Sequence, residues 1–198
     1  MKMTLMKKRF VSLFILIAAL VTLPVVIRSA AGVSPYAQTT LDGFKPTTVI
    51  LVRHAERMDA PREDPPLTTE GVARSQKLAS LLASANIKAI YTSQFLRTKL
   101  TAEPLSKQTG VAVTPLTLQV KQSNPREVSE QSIRQIVDKI MERPGETALV
   151  VGHSNSVPDV IRMLGGDTVP TVDEKWFDDL FIVTVYAKGK ARVLQLKY

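Results

Sequence analysis

His54 and His153 are the only imidazoles in the 198-residue chain, and each directly follows an apolar run, in "VILVRH" and "ALVVGH". Short Val/Ile/Leu-rich runs of this kind read as strands buried on both faces. If the two strands are parallel, both imidazoles reach the same carboxyl-terminal rim of a sheet, where α/β folds bind their ligands. Arginines accompany them. Arg53 precedes His54, Arg57 lies three residues beyond it, and Arg97 falls four residues after Ser93 in "YTSQFLRTKLTAEPL". A guanidinium offers a planar donor fork that fits a pair of phosphate oxygens. Arg57 reads equally well as a solvated surface charge. Two imidazoles ringed by arginines, with no acidic cluster beside them, describe a site for a dianionic phosphoryl group. A neutral imidazole attacks phosphorus, and nearby arginines keep it neutral by lowering its pKa from about 6.5. The same arginines stabilise charge on the equatorial oxygens during transfer. Attack yields a phosphohistidine that water then cleaves. The second histidine is placed to bind an oxygen or to take part in proton transfer.

The elements that must position these groups alternate along the chain. Val49–Val52 predicts the first strand. The turn-rich "DAPREDPPLTTEG" follows, and Thr68/Thr69 can cap a helix running to about Ala85, with Val72, Leu78, Leu81 and Leu82 as its apolar stripe. "IKAIYTS" predicts a second strand. "QFLRTKLTAEPLSKQTG" predicts a helix stopped at Gly110, with Pro104 as a kink or break. "VAVTPL" is a third strand, Ser129 to Glu142 a helix facing inward through Ile133, Ile136, Val137 and Ile140, and "TALVVG" a fourth strand. "SVPDVIRMLGG" is a short helix, and "LFIVTVYAKGKARVLQLKY" a closing hairpin around Lys188-Gly189-Lys190. The pattern predicts a three-layer α/β sandwich with a mostly parallel sheet and an antiparallel edge.

Composition bounds the rest. Lys2, Lys7, Lys8 and Arg9 precede an apolar run from Phe10 to Ile27, and the small residues Ser29-Ala30-Ala31-Gly32 follow. This is the layout of a secretory signal cut after Ala31, or of an uncleaved single-pass anchor. Either puts the rest of the chain outside the cytoplasm, in the periplasm or an equivalent space. Residues 32–46 read as a linker and 47–198 as the folded domain. The net charge of +8 includes five basic and no acidic residues within 1–31, so the remainder carries +3. That is an ordinary surface charge and gives no sign of a nucleic-acid groove. There is no cysteine, which excludes disulfides, thiolate metal sites and a thiol nucleophile.

"LVRHAER", "SQFLRTKLTAEPL" and "VVGHSN" resemble, in order and spacing, the signature segments of the histidine phosphatase superfamily, the phosphoglycerate mutase-like fold. The likeness runs from Thr47 to Tyr198 and is greatest toward small bacterial members, many of them exported. It implies a metal-independent phosphomonoesterase in which His54 is phosphorylated, Arg53 and Arg97 hold the phosphate, and His153 is the second catalytic histidine. It implies no metal and no organic cofactor. The substrate would be a phosphorylated small molecule or a phosphoprotein, with no nucleic-acid partner. Many members place a glutamate proton donor some 25–30 residues after the second arginine. Here that window, "TLQVKQSNPREV", holds only Glu127, the candidate general acid, with Asp59, Glu63 and Asp64 as alternatives.

Other readings fit less well. "VVGHSNS" approaches the G-x-S-x-G nucleophile elbow with Ser154 as nucleophile, but Ser156 replaces the last glycine and no histidine follows His153. His54 with Glu56 and Asp59 is the best local metal cluster, at spacings that match no recognised ligand pair. The absence of an obvious acid motivates a rival from another class, a phosphate-recognising module with little turnover. Trp176 and Phe177, in "VDEKWFDDL", read as a packed lid, and Asn155 and Ser156 as caps for the helix that follows. Loops 58–67, 115–128 and 165–179 are expected to meet the leaving group.

Overall fold

Val49 and Leu51 pack on one side of the sheet and Ile50 and Val52 on the other, so the first strand is buried on both faces. That is why its sequence is a continuous apolar run and shows no alternation. The computed structural model describes residues 45–198. The leader 1–31, and all of the linker 32–46 except its last two residues, lie outside that range. Among the described residues, no helix is long and apolar enough to cross a membrane.

The order is β1 (Thr47–Arg53), α1 (Thr69–Leu82), β2 (Ile87–Ser93), α2 (Leu96–Thr109), β3 (Val113–Leu116), β4 (Val120–Lys121), β5 (Asn124–Val128), α3 (Glu130–Met141), β6 (Thr147–Gly152), α4 (Val157–Met163), β7 (Asp179–Ala187) and β8 (Lys190–Lys197). Six strands form one sheet in the order β3-β2-β6-β1-β7-β8. The first four are parallel, and β7 and β8 close one side antiparallel. One face carries α1 and α2 over Ile50, Val52, Leu149 and Val151; the other carries α3 and α4 over Val49, Leu51, Ala148 and Val150. This is the three-layer sandwich with an antiparallel edge that the alternation of elements predicts.

Three details depart from the sequence reading. Val72 and Leu81 are exposed; the inner face of α1 is Gly71, Ser75, Leu78, Ala79 and Leu82, a narrower stripe built partly of small residues. Pro104 does not break α2, which runs on to Thr109, where Gly110 closes it at φ 73°. Residues 120–128 are not plain loop. They fold into the two-stranded hairpin β4–β5, whose only buried residue, Val128, faces the core. Its polar, proline-containing sequence gives little strand signal, because almost the whole hairpin is exposed.

Gly71 is required for contact. A Cβ there would lie 2.1 Å from the carbonyl oxygen of Glu56, two residues past His54. Gly110 is required for conformation, since a Cβ there meets nothing within 4 Å. Gly71→Ala is therefore expected to lose about 1–3 kcal/mol by overpacking and to displace the segment after His54. Gly110→Ala should lose about 1 kcal/mol through left-handed strain alone and keep its activity. Urea midpoints, together with turnover of an aryl phosphate, separate the two.

Candidate active site

Register delivers both histidines to one place. β1 and β6 run parallel with Arg53 paired to Gly152, so the next residue on each strand is a histidine. The His54 amide extends the ladder by one bond, donating to the Gly152 carbonyl at 3.0 Å. The two rings stand 5.3 Å apart, edge to face. β2 lies on the other side of β6, and its last residue, Ser93, places Oγ 2.8 Å from His153 Nε2. The helix that starts just past β2 brings in Arg97. β7 is antiparallel and begins at this same rim, so the loop before it crosses the end of β1.

The result is a cavity of about 310 Å³. Arg53, His54, Arg57, Arg97 and His153 line it with Ser154, Asn155 and Glu174, and Phe95, Leu118, Val120 and Val128 form its apolar wall. The structure thus brings together five of the six residues singled out from sequence. Arg57 is exposed at the mouth, its Nη1 donating to the Met58 carbonyl at 3.2 Å. Glu127 is not among the lining residues. Its exposed carboxylate accepts from Lys121 Nζ at 2.6 Å and Asn124 Nδ2 at 2.8 Å, so it serves the hairpin turn. Of the predicted leaving-group loops, 115–128 and 165–179 reach the cavity, whereas 58–67 contributes no lining residue.

His54 is 4% exposed. Its Nδ1 lies 2.8 Å from the Ala55 carbonyl, which can only accept, so Nδ1 carries the proton and Nε2 keeps its lone pair. Burial is the main influence on its charge; the Ala55 hydrogen bond works against it, and the charges of Arg53, Arg97 and Arg57 work with it, leaving the imidazole pushed down to about 3. The arginines alone, invoked from sequence, are thus the smaller part of the cause. His153 is likewise held well below its ordinary value by burial first, then by His54, Arg97 and Arg53. Both rings are neutral at neutral pH.

The two inner arginines are held from behind. Phe177 covers the Arg53 guanidinium at 4.1 Å and Phe95 covers that of Arg97 at 4.2 Å. Arg53 Nη1 donates to the carbonyls of Glu174 at 2.6 Å, Asp173 at 3.2 Å and Trp176 at 3.3 Å. Asp64 accepts from the Leu96 amide at 2.8 Å and sits 3.8 Å from Arg97 Nη1, fixing the start of α2. The Nε groups of both arginines are buried without an acceptor among the described residues. That is a donor array suited to an anion.

Several of these contacts leave no mark in the sequence. Ser93, Thr98 and Asp64 act through contacts that only folding makes. The Ala55 amide donates to Thr101 Oγ1 on α2, 46 positions along the chain. Phe177 is the packed residue of its pair; Trp176 is 58% exposed. Ser156 does not cap α4 through its side chain; its Oγ accepts from the His153 amide at 2.9 Å, and Asn155 donates to the Arg126 carbonyl. Glu56 faces away from the cavity. Burial works to raise its carboxyl, but the paired bonds and charge of Arg74 outweigh burial and hold it below its ordinary value. Among the described residues, no three His, Asp or Glu side chains group as a metal site.

Residues 49–123 match the family described as the histidine phosphatase superfamily (branch 1). No curated protein matches the sequence. The fold is similar to that of phosphoglycerate mutase from Bacillus anthracis str. Sterne, at 18% identity and a TM-score of 0.61, covering 77% of this chain and 93% of that one. It is similar to the protein histidine phosphatase SixA complexed with tungstate, at 20% identity and 0.60, covering 76% and 96%. A putative α-ribazole-5′-P phosphatase from Escherichia coli K-12 matches at 16% and 0.58, covering 77% and 96%. At these identities the likeness establishes the fold.

Neutral burial of His54 has a consequence for stability. In the unfolded chain the imidazole takes up a proton near pH 6.5, whereas in the folded chain it does so only near pH 3. The unfolded state therefore binds the extra proton between those values, and stability falls as the pH drops through that window. In urea titrations, His54→Asn is expected to flatten the fall between about pH 6 and 4 by up to about 1.4 kcal/mol per pH unit. An unchanged slope would mean that His54 is charged in the folded protein.

Proposed function

We propose that this chain is a member of the histidine phosphatase superfamily, whose branch 1 its residues 49–123 match, and that it hydrolyses phosphomonoesters through a phosphohistidine on His54. One observation carries the reading. His54 is neutral and buried, its Nδ1–H is committed to the Ala55 carbonyl, and the remaining Nε2 lone pair lies in a cavity with Arg53, Arg57 and Arg97. In this reading the phosphoryl group sits against Arg53 and Arg97, with His153 on a non-bridging oxygen. His54 Nε2 attacks phosphorus as the ester P–O bond breaks, and the alcohol departs with one proton. Water then attacks the phosphohistidine, the P–N bond breaks, and inorganic phosphate leaves with His54 restored. Both steps gain from arginines fixed in advance, because no solvent must reorganise as charge shifts onto the equatorial oxygens.

The apolar wall of Phe95, Leu118, Val120 and Val128 supports a small-molecule leaving group with a non-polar face, while the opening supports access by a phosphorylated protein side chain as well. Export, as read from residues 1–31, would place this activity outside the cytoplasm.

The test is hydrolysis of an aryl phosphate by the full chain with chelator present. Turnover is expected to resist chelation and to fall more than about 10³-fold in His54→Ala. An acid-labile, base-stable phosphoenzyme is expected on the wild type and not on the variant. Tungstate, the oxyanion in the SixA structure, is expected to inhibit competitively, and Arg97→Ala to weaken both inhibition and kcat/KM by about 10²–10³-fold. Absence of turnover from pH 4 to 8 with tungstate still bound would favour a phosphate-recognising module.

A further inference from the structure

We propose that Glu174, in the loop before β7, is the proton donor to the leaving group, a role that rests on the phosphatase reading above. Among the described residues it is the only acidic one lining the cavity. The loop is fixed to the phosphate site by the arginine that would bind phosphate, since Arg53 Nη1 donates to the Glu174 carbonyl at 2.6 Å. The Glu174 carboxylate accepts from Ser154 Oγ at 3.4 Å, one residue beyond His153, so it hangs over the same rim as the two imidazoles. Phe177, three residues on, completes the fastening by stacking on Arg53 and approaching His54 to 6.0 Å between ring centroids.

The other groups at the cavity do not supply a proton. Arg53, Arg57 and Arg97 remain charged donors of hydrogen bonds. Burial and three neighbouring groups keep His153 neutral, and its Nε2 is engaged with Ser93. Ser154 is a hydroxyl, too weak an acid for the task. Glu127 is held on the outer hairpin by Lys121 and Asn124.

The proton balance closes over two steps. As His54 Nε2 bonds to phosphorus and the ester P–O bond breaks, the Glu174 carboxyl gives its proton to the departing oxygen and becomes a carboxylate. That carboxylate then takes a proton from the water attacking the phosphohistidine. P–N cleavage releases phosphate and leaves Glu174 protonated and His54 neutral.

General-acid help matters most for poor leaving groups, and this separates a proton donor from a residue that only binds or positions. The experiment compares wild type and Glu174→Gln, as full chains, on phenyl phosphate and 2,4-dinitrophenyl phosphate. kcat/KM on phenyl phosphate is expected to fall about 10²–10⁴-fold in the variant and on the dinitrophenyl ester by less than about tenfold. Glu174→Asp should recover part of the loss. Equal losses on the two esters, or none on either, would overturn the assignment while leaving the phosphatase reading intact. Wild-type protein inactive on both esters and forming no phosphoenzyme would overturn that reading and this one with it.

Discussion

Two imidazoles stand 5.3 Å apart beside three guanidiniums, and burial together with those charges holds both in the neutral form. Much of the architecture serves that condition. Parallel pairing of β1 with β6 ends both strands at one rim, and layers of helix on each face keep water from the strand ends. Burial, more than the arginine charges, removes the proton from His54. The Ala55 carbonyl then decides which nitrogen remains free. A neutral imidazole with a free Nε2 lone pair is thus prepared by desolvation and a single main-chain bond.

Arg53 joins this rim to the rest of the molecule. It closes one of the two central strands, has one face covered by Phe177, and gathers three carbonyls of the loop 173–176 onto a single nitrogen. Those carbonyls need a cationic donor and the cation needs acceptors, so each fixes the other. Because β7 runs antiparallel to β1, the loop that feeds it has to cross the rim. Strand direction therefore decides that an acidic, aromatic segment lies over the histidine-bearing end of the sheet. Arg97 is backed in the same way by Phe95, and Gln94 fastens the opposite wall through a reciprocal pair of bonds with the Leu118 main chain.

The energetic division is plain. The apolar layers around Leu51, Leu149, Ile161 and Phe181 hold the sandwich together. The ion pair Glu56–Arg74, with Arg74 Nη1 also donating to the Tyr198 carbonyl, ties the segment after His54 to α1 and the chain terminus. Most other ion pairs, such as Lys107–Glu103 and Arg134–Glu130, lie in solvent and contribute little. The cations at the cavity are different. Their partners are carbonyls, aromatic faces and one carboxylate at 3.8 Å, which leaves most of their charge available to an anion.

Sequence alone determined what local patterns can carry. Buried strands announce themselves as apolar runs, so β1, β2 and β6 were legible almost to the residue. A histidine after each of two such runs named His54 and His153, and the signature spacing brought in Arg53 and Arg97. Tertiary structure decided whatever depends on residues distant along the chain. Glu127 and Glu174 are both glutamates in polar loops, and composition does not distinguish them; one serves a hairpin turn, the other lines the cavity because β7 starts at the rim. The exposed β4–β5 hairpin, the clasp of Arg53 on the 173–176 loop and the bond from Ser93 to His153 escaped the sequence for the same reason. Periodicity records which residues are buried, and says nothing of which loop a folded sheet lays across another strand's end.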